Sequence, residues 1–153
     1  MKIFGISLIF LLISSVLSAQ IDTSETRVVA DDQEAELAYN RGVQKFMEQD
    51  YPGALDEFTQ ATVFNKNFGK AYYNRGIVKI ELGDYSAAIA DFTHALALMS
   101  EQAGIYFARG FARVNTQEYD QALSDFEYAE NKGYSKANLH YYKGLAYFQK
   151  EEY

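Results

Sequence analysis

The stretch YYNRGIVKIELGDYSAAIADFTHALA, residues 72–97, contains a residue pattern that recurs along the chain at a fixed interval. Its YNRG, residues 73–76, also occurs 34 residues earlier at residues 39–42, and looser copies follow at residues 107–110 and 141–144. Residues that stand 34 positions apart are called a column below. Five columns hold the same residue type in each repeat: Gly42, Gly76, Gly110 and Gly144; Tyr51, Tyr85, Tyr119 and Tyr153; Ala54, Ala88 and Ala122; Phe58, Phe92 and Phe126; Ala61, Ala95 and Ala129. Self-similarity at one fixed spacing predicts a solenoid of stacked repeats.

Each repeat is predicted to form two helices. The segment around the glycine has apolar residues at helical spacing, as in Tyr73, Ile77 and Ile80, and the segment after the tyrosine continues with Ala88 and Phe92. The glycine and alanine columns leave room for two backbones to approach, and the phenylalanine column fills the space beside them. The pattern therefore predicts an all-α fold.

The composition limits the classes of function that the chain can have. Its 153 residues allow one modest domain, and 48% apolar with 16% aromatic residues is enough to bury a core. Cysteine is absent, which excludes disulfides, thiolate metal sites and a cysteine nucleophile. The formal net charge of −7 argues against nucleic acid and anionic membrane surfaces as partners.

The first 19 residues, MKIFGISLIFLLISSVLSA, have the layout of a secretory signal peptide. The alternative is a retained membrane anchor, but the apolar run at residues 3–19 has 17 residues, fewer than the roughly 20 that a spanning helix needs. We therefore predict an exported protein, periplasmic or secreted, without stable membrane insertion after cleavage. Residues 20–34 are polar and acidic without sustained periodicity, and they are interpreted as a linker.

The five columns resemble the motif of the tetratricopeptide repeat family, in which antiparallel helix pairs stack into a right-handed superhelix. The resemblance implies a tetratricopeptide-type superhelical solenoid of about three and a half repeats. The units would be residues 35–68, 69–102, 103–136 and, as the first helix of an incomplete fourth unit, residues 137–153. The proline that the family usually has near the end of each unit is replaced by Lys66 and Ser100 in the first two units. We therefore expect the helix junctions to be more continuous than usual.

A basic residue precedes each glycine, and an acidic residue follows 16 positions after the first three of these basic residues. The two columns are Arg41, Arg75, Arg109 and Lys143, and Glu57, Asp91 and Asp125. They are predicted to form a ladder of ion pairs between the two helices of each unit. The alternative is a row of solvated charges, each contributing little to stability.

The residues three before, one after and four after each glycine share one face of the first helix. In the proteins that this sequence resembles, that face lines a concave groove in which an extended peptide or a partner helix docks. The resemblance implies a partner-binding groove formed by Tyr39, Val43, Phe46, Tyr73, Asn74, Ile77, Ile80, Phe107, Phe111, Tyr141 and Leu145. Rings with polar tips would favour a hydrophobic ligand segment. The alternative is that much of this face is ordinary core between neighbouring first helices.

One subclass of the family is disfavoured by these columns. Binders of acidic chaperone tails use a clamp of Lys, Asn and Arg in the groove, whereas the corresponding positions here are aromatic or apolar. Asn40 and Asn74 are the only matching side chains.

Catalytic patterns are absent from the sequence. His94 lies three residues after Asp91, but no further metal ligand repeats nearby, so a solvated histidine is predicted. His140 stands in the column of Tyr72 and Tyr106 and is predicted to be a packing residue. No phosphate loop or serine elbow is found. We therefore predict neither an enzyme nor a bound cofactor or metal.

The end of the sequence leaves two alternatives open. The last helix carries the apolar residues Tyr141, Tyr142, Leu145, Tyr147 and Phe148, and the sequence stops where a second helix would begin. Either the chain is the leading part of a longer protein, or this helix docks onto another chain, such as a second copy.

Together these patterns predict an exported scaffold or adaptor that binds a protein or peptide through its groove. The alternatives are a structural unit that self-associates end to end through its last helix, or the N-terminal repeat part of a longer protein.

Overall fold

Seven α-helices follow one another in the described part of the chain, and the backbone there contains no strand. The computed structural model describes the backbone of residues 4–151 and the side chains of residues 26–151. The helices are α1 (Phe4–Met47), α2 (Tyr51–Phe64), α3 (Gly69–Glu81), α4 (Tyr85–Leu98), α5 (Ala103–Asn115), α6 (Tyr119–Asn131) and α7 (Ala137–Glu151). Consecutive helices pack together, most extensively within the pairs α1–α2, α3–α4 and α5–α6. The predicted all-α solenoid of helix pairs is confirmed.

The second helix of each complete unit begins at the tyrosine column. These first residues are Tyr51, Tyr85 and Tyr119. Two of the helices have an aspartate N-cap, whose carboxylate accepts a hydrogen bond from the backbone N–H of the third helical residue. Gly53 donates to Asp50 at 3.0 Å, and Ala87 donates to Asp84 at 3.1 Å. Pro52 lies in the first turn of α2, where a missing N–H costs no helical hydrogen bond.

The glycine column makes the close packing of each helix pair possible. A Cβ added to Gly42, Gly76 or Gly110 would lie 2.7, 2.6 or 2.6 Å from a ring atom of the buried phenylalanine on the second helix of the same unit. Those rings are Phe58, Phe92 and Phe126, each at most 1% exposed. A larger side chain at these glycines would have to displace a close-packed ring.

The ion-pair ladder is present. Arg75 donates from Nε and Nη2 to the two carboxylate oxygens of Asp91 at 2.8 and 2.6 Å. Arg109 makes the same pair of bonds to Asp125 at 3.0 and 2.7 Å. In the first unit Arg41 makes a single bond, at 2.8 Å, to the glutamate of the acidic column.

Two further kinds of contact extend this ladder. Lys79 and Arg113 each bring a second cation to the aspartate of their unit, at 2.7 Å in both cases. Arg75 also donates to Thr62 of the preceding unit at 2.8 Å. Lys143 likewise reaches back, to Glu130 on α6 at 2.8 Å. The basic column therefore links successive units as well as the two helices within a unit.

The junctions between units differ from the prediction. Residues 65–68, 99–102 and 132–136 interrupt the helices, so the expectation of more continuous junctions is wrong. At the first junction Asn65 has an extended backbone with φ −129°, and its side-chain oxygen accepts a hydrogen bond from the N–H of Asn67 at 2.8 Å. An asparagine turn of this kind ends a helix without a proline.

The segment interpreted as a linker, residues 20–34, is helical and continues into the first repeat as part of α1. It meets the solenoid at Asp32, whose carboxylate accepts a hydrogen bond from Asn65 at 2.9 Å. Three residues later, Ala35 is fully buried. The predicted signal peptide, residues 1–19, and Tyr153 lie outside the residues with described side chains. Within the described residues, no helix combines the length and apolarity needed to cross a membrane.

Candidate peptide-binding groove

The aromatic residues three before each glycine belong to both the core and the groove. Their rings tilt against the buried phenylalanine of the same unit, and the centroid distances are 5.7 Å for Tyr39–Phe58, 5.9 Å for Tyr73–Phe92 and 5.8 Å for Phe107–Phe126. All three remain half-buried and not fully enclosed. The two interpretations of this face, groove and core, thus describe opposite sides of the same rings.

Two pockets lie along this face, and eight of the eleven predicted groove residues line them. The smaller pocket, of about 70 Å³, lies between α1 and α3. Its walls are Val43, Phe46, Phe58, Asn74 and Ile77.

The larger pocket, called the central pocket below, has a volume of about 340 Å³ and spans α3, α5 and α7. It is lined by Tyr73, Ile77, Ile80, Glu81, Gly104, Phe107, Ala108, Phe111, Tyr134, Lys136, Asn138 and Tyr142. Ile77 borders both pockets, so they follow one another along the same face of the solenoid.

Aromatic rings form one end of the central pocket. Tyr134 stacks on Phe107 with a centroid distance of 4.7 Å and an interplanar angle of 15°. Tyr142 meets Phe111 edge to face at 4.9 Å. These contacts fix the rings against one another, so the pocket wall is largely formed before any ligand arrives.

Tyr134 and Tyr142 were not among the predicted groove residues. Tyr134 lies in the turn between α6 and α7, at the position equivalent to Lys66 and Ser100, where the family usually has proline. Tyr142 stands two residues before its glycine, in the same column as Asn74. The 34-residue repeat assigns both residues to columns, but it does not predict that their rings line the central pocket.

The predicted residues of the fourth unit lie elsewhere. Tyr141 is 66% exposed and does not line the central pocket, where Tyr142 is found instead. Leu145 packs against the hydrophobic core between α5, α6 and α7. In the complete units the equivalent of Tyr141 rests on a phenylalanine of the second helix, and no such ring covers Tyr141 in the described part of the chain.

Polar groups are few around these pockets. Asn74 donates its side-chain N–H to the hydroxyl of Tyr39 at 3.0 Å, which links the first two units. Burial, and to a lesser degree the neighbouring Tyr134, raises the pKa of Tyr73, so its hydroxyl stays neutral at physiological pH. The ammonium group of Lys136 lies 5.5 Å from the centre of the Tyr134 ring. The pockets therefore offer apolar surface with neutral hydroxyls at its edges.

The comparisons with known proteins agree with this architecture. The tetratricopeptide repeat profile matches residues 69–101, the second unit. The fold is a tetratricopeptide repeat solenoid. No curated protein matches the sequence.

Several solved tetratricopeptide repeat domains have similar folds at low sequence identity. The first such domain of Spaghetti (RPAP3), bound to the HSP90 peptide SRMEEVD, has a TM-score of 0.75 and 21% identity over 78% of this chain and 95% of its own. The Arabidopsis OM64 domain has a TM-score of 0.73 and 22% identity over 76% and 96%. The TPR2B domain of yeast Sti1, in a complex with pHsp70, has a TM-score of 0.72 and 24% identity over 76% and 98%.

The two histidines of the sequence lie away from the groove pockets. His94 is exposed and stacks on Tyr72 at 4.0 Å. His140 has a side chain that is 67% exposed, so the prediction of a packing residue is wrong. The equivalent residue of the third unit, Tyr106, stacks on Tyr128 with a centroid distance of 4.0 Å. Among the described residues, no group of three His, Asp or Glu side chains is placed to hold a metal ion.

Proposed function

We propose that this protein is a non-enzymatic adaptor that binds a peptide segment of another protein in the groove formed by α1, α3, α5 and α7. The observation that carries the proposal is the central pocket, where apolar side chains from three successive first helices meet in one open cavity. Concave, mostly apolar cavities with a few polar groups are the usual form of a binding site.

The chemistry of the pocket favours a ligand with apolar or aromatic anchors. A volume of about 340 Å³ holds a few side chains of a peptide and not a whole domain. Ile77, Ile80 and Phe111 supply apolar contacts, and the tyrosines supply rings with hydroxyl groups that satisfy a ligand's polar backbone. Tyrosine is among the residue types that contribute most to binding energy at protein interfaces when packed in a desolvated pocket.

The same chemistry argues against an acidic ligand such as the HSP90 peptide bound by the Spaghetti domain. That peptide, SRMEEVD, carries several carboxylates, and carboxylates are bound best by Arg or Lys side chains. Of the residues that line the two groove pockets, Lys136 is the only cation, and Glu81 lies in the same pocket. We infer that the ligand is apolar and close to neutral.

Export is the second part of the proposal. It rests on the signal-peptide layout of residues 1–19, and it places the adaptor in the periplasm or outside the cell. An absence of cysteine is compatible with either compartment.

The groove is tested by selecting peptides from a random library on the wild-type chain and measuring their affinity for two matched variants. Ile77→Ser and Ile89→Ser each remove a half-buried isoleucine that packs against the same core cluster, but only Ile77 lines the pockets. We expect the selected peptides to share aromatic or aliphatic anchors and to lose about tenfold or more in affinity for Ile77→Ser alone.

An equal loss of affinity with Ile89→Ser would show that the effect comes from stability and not from the groove. Selected peptides that are mainly acidic would contradict the proposed ligand class.

A further inference from the structure

Two charged residues, Glu81 and Lys136, line the central pocket together with its apolar walls. Both residues are exposed to solvent. Within the described part of the chain, neither is joined to another side chain by a hydrogen bond or an ion pair. The ladder is different, because Arg75 and Asp91 already satisfy each other there. The two charges of the pocket are therefore available to a ligand.

These two charges belong to opposite ends of the parallel first helices. Successive helices joined by short turns run antiparallel, so α3, α5 and α7 all point in the same direction. Glu81 is the last residue of α3, whereas Lys136 directly precedes the first residue of α7. The carboxylate therefore lies where the first helices end, and the ammonium group lies where they begin.

The ring contacts agree with this placement. The ammonium group of Lys136 lies 5.5 Å from the centre of the Tyr134 ring, and that ring stacks on Phe107. Phe111, one turn further along α5, meets Tyr85 edge to face with a centroid distance of 6.3 Å. Tyr85 begins α4, directly after the turn that follows α3. The cation is thus at the Phe107 end of the pocket, and the end of α3 is at the Phe111 end.

The length of the pocket fits a short segment of extended peptide. Gly104 and Phe111, seven positions apart on α5, both line it. At roughly 1.5 Å per residue of helix, these positions are about 10 Å apart along the axis. An extended peptide rises roughly 3.3 Å per residue, so about three residues span that length. The walls between the two ends include Ile77 and Ile80, which would contact an apolar side chain of the peptide.

We propose that the ligand of the groove carries one basic and one acidic residue about three positions apart, on either side of an apolar anchor. The carboxylate of Glu81 pairs with the basic residue, and the ammonium group of Lys136 pairs with the acidic one. Such a segment has no net charge. The unlike charges set the direction in which the peptide lies, because the opposite direction brings like charges together. These roles rest on the groove function proposed above and add the polarity of its ligand.

The test is a charge exchange, Glu81→Lys together with Lys136→Glu, which keeps the net charge and the apolar walls. Peptides selected from the random library on the wild-type chain are the probes. We expect them to carry both charges and to bind the exchanged chain about threefold to tenfold more weakly, since each pairing becomes a repulsion. Peptides whose own basic and acidic residues are exchanged should recover the lost affinity. The difference should shrink at high salt, which screens exposed charges.

A second exchange serves as the matched control. Glu101 and Lys132 pair at 2.5 Å, and neither lines a groove pocket. Glu101→Lys together with Lys132→Glu reverses the same two residue types and keeps their ion pair. We expect this chain to bind the selected peptides as the wild type does. An equal loss of affinity with the control exchange would overturn the assignment of the two charges to the ligand.

The remaining outcomes separate the ligand's polarity from the groove itself. If the selected peptides show no preference for charged residues, or bind the exchanged chain as tightly as the wild type, while Ile77→Ser still weakens binding, the charge assignment is wrong and the groove stands. If Ile77→Ser leaves binding unchanged, the groove function fails, and the charge assignment fails with it.

Discussion

Gly76 and Gly144 stand in the same column of the repeat but in opposite surroundings. A Cβ at Gly76 would lie 2.6 Å from Phe92, whereas at Gly144 no atom of the described residues lies within 4 Å of that position. We expect Gly76→Ala to lower the free energy of unfolding by about 1–3 kcal/mol through overpacking. Gly144→Ala should raise it by about 0.5–1 kcal/mol, because alanine favours the helix. Urea unfolding followed by circular dichroism measures both, and equal effects would contradict the packing account.

The acidic column contains a buried and a more exposed pairing. Asp91 is 4% exposed and holds both Arg75 and Lys79, so Asp91→Ala leaves two cations without their partner. We expect that variant to lose about 3–5 kcal/mol of unfolding free energy. Glu57→Ala should lose no more than about 1 kcal/mol, because its partner Arg41 is 47% exposed.

The same urea experiment compares the two acidic variants. Equal losses for both would show that burial does not set the strength of the ladder.

At the scale of helices, the beginning of α2 depends on one ionised carboxylate. The hydrogen bond from Lys45, followed by that from the Gly53 N–H, lowers the pKa of Asp50 below its ordinary value of 3.8. A group with a lowered folded-state pKa stabilises the fold above its unfolded pKa, and that contribution is lost as the pH falls through the folded-state value. The charge should therefore stabilise α2 at neutral pH and not in strong acid.

Asp50→Asn tests this dependence, because asparagine caps a helix about as well as aspartate but carries no charge. We expect the variant to be less stable than the wild type at neutral pH, and the difference to shrink as the pH falls below 3.8. Urea unfolding of both chains across the acid range measures it. A difference that stays constant into strong acid would contradict the charge-based account.

The helices were largely predictable from the sequence, and the groove only in part. The period predicted both helices of each unit, since the tyrosine column marks the start of every second helix. It did not predict that Tyr134 would stack on Phe107, because a residue in a turn has no helical face for a periodic pattern to place. The break at Asn65 was also missed, since a side-chain hydrogen bond there replaces the usual proline.

At the scale of the whole molecule, the proposed export makes a prediction about chain length. Cleavage after Ala19 would leave a mature chain that begins at Gln20. Intact-mass spectrometry of the protein isolated from its source should show the loss of residues 1–19. A mass that retains these residues would contradict cleavage and favour the membrane-anchor alternative.

The solenoid brings residues of α1, α3, α5 and α7 to one face, although they are distant in sequence, and the proposed function depends on that face. The most direct test is to record intermolecular NOEs between a library-selected peptide and the methyl groups of Ile77 and Ile80. The groove account predicts NOEs from both isoleucines to the apolar anchors of the peptide, since both line the central pocket. NOEs confined to methyl groups of α2, α4 or α6, with none to Ile77 or Ile80, would contradict it.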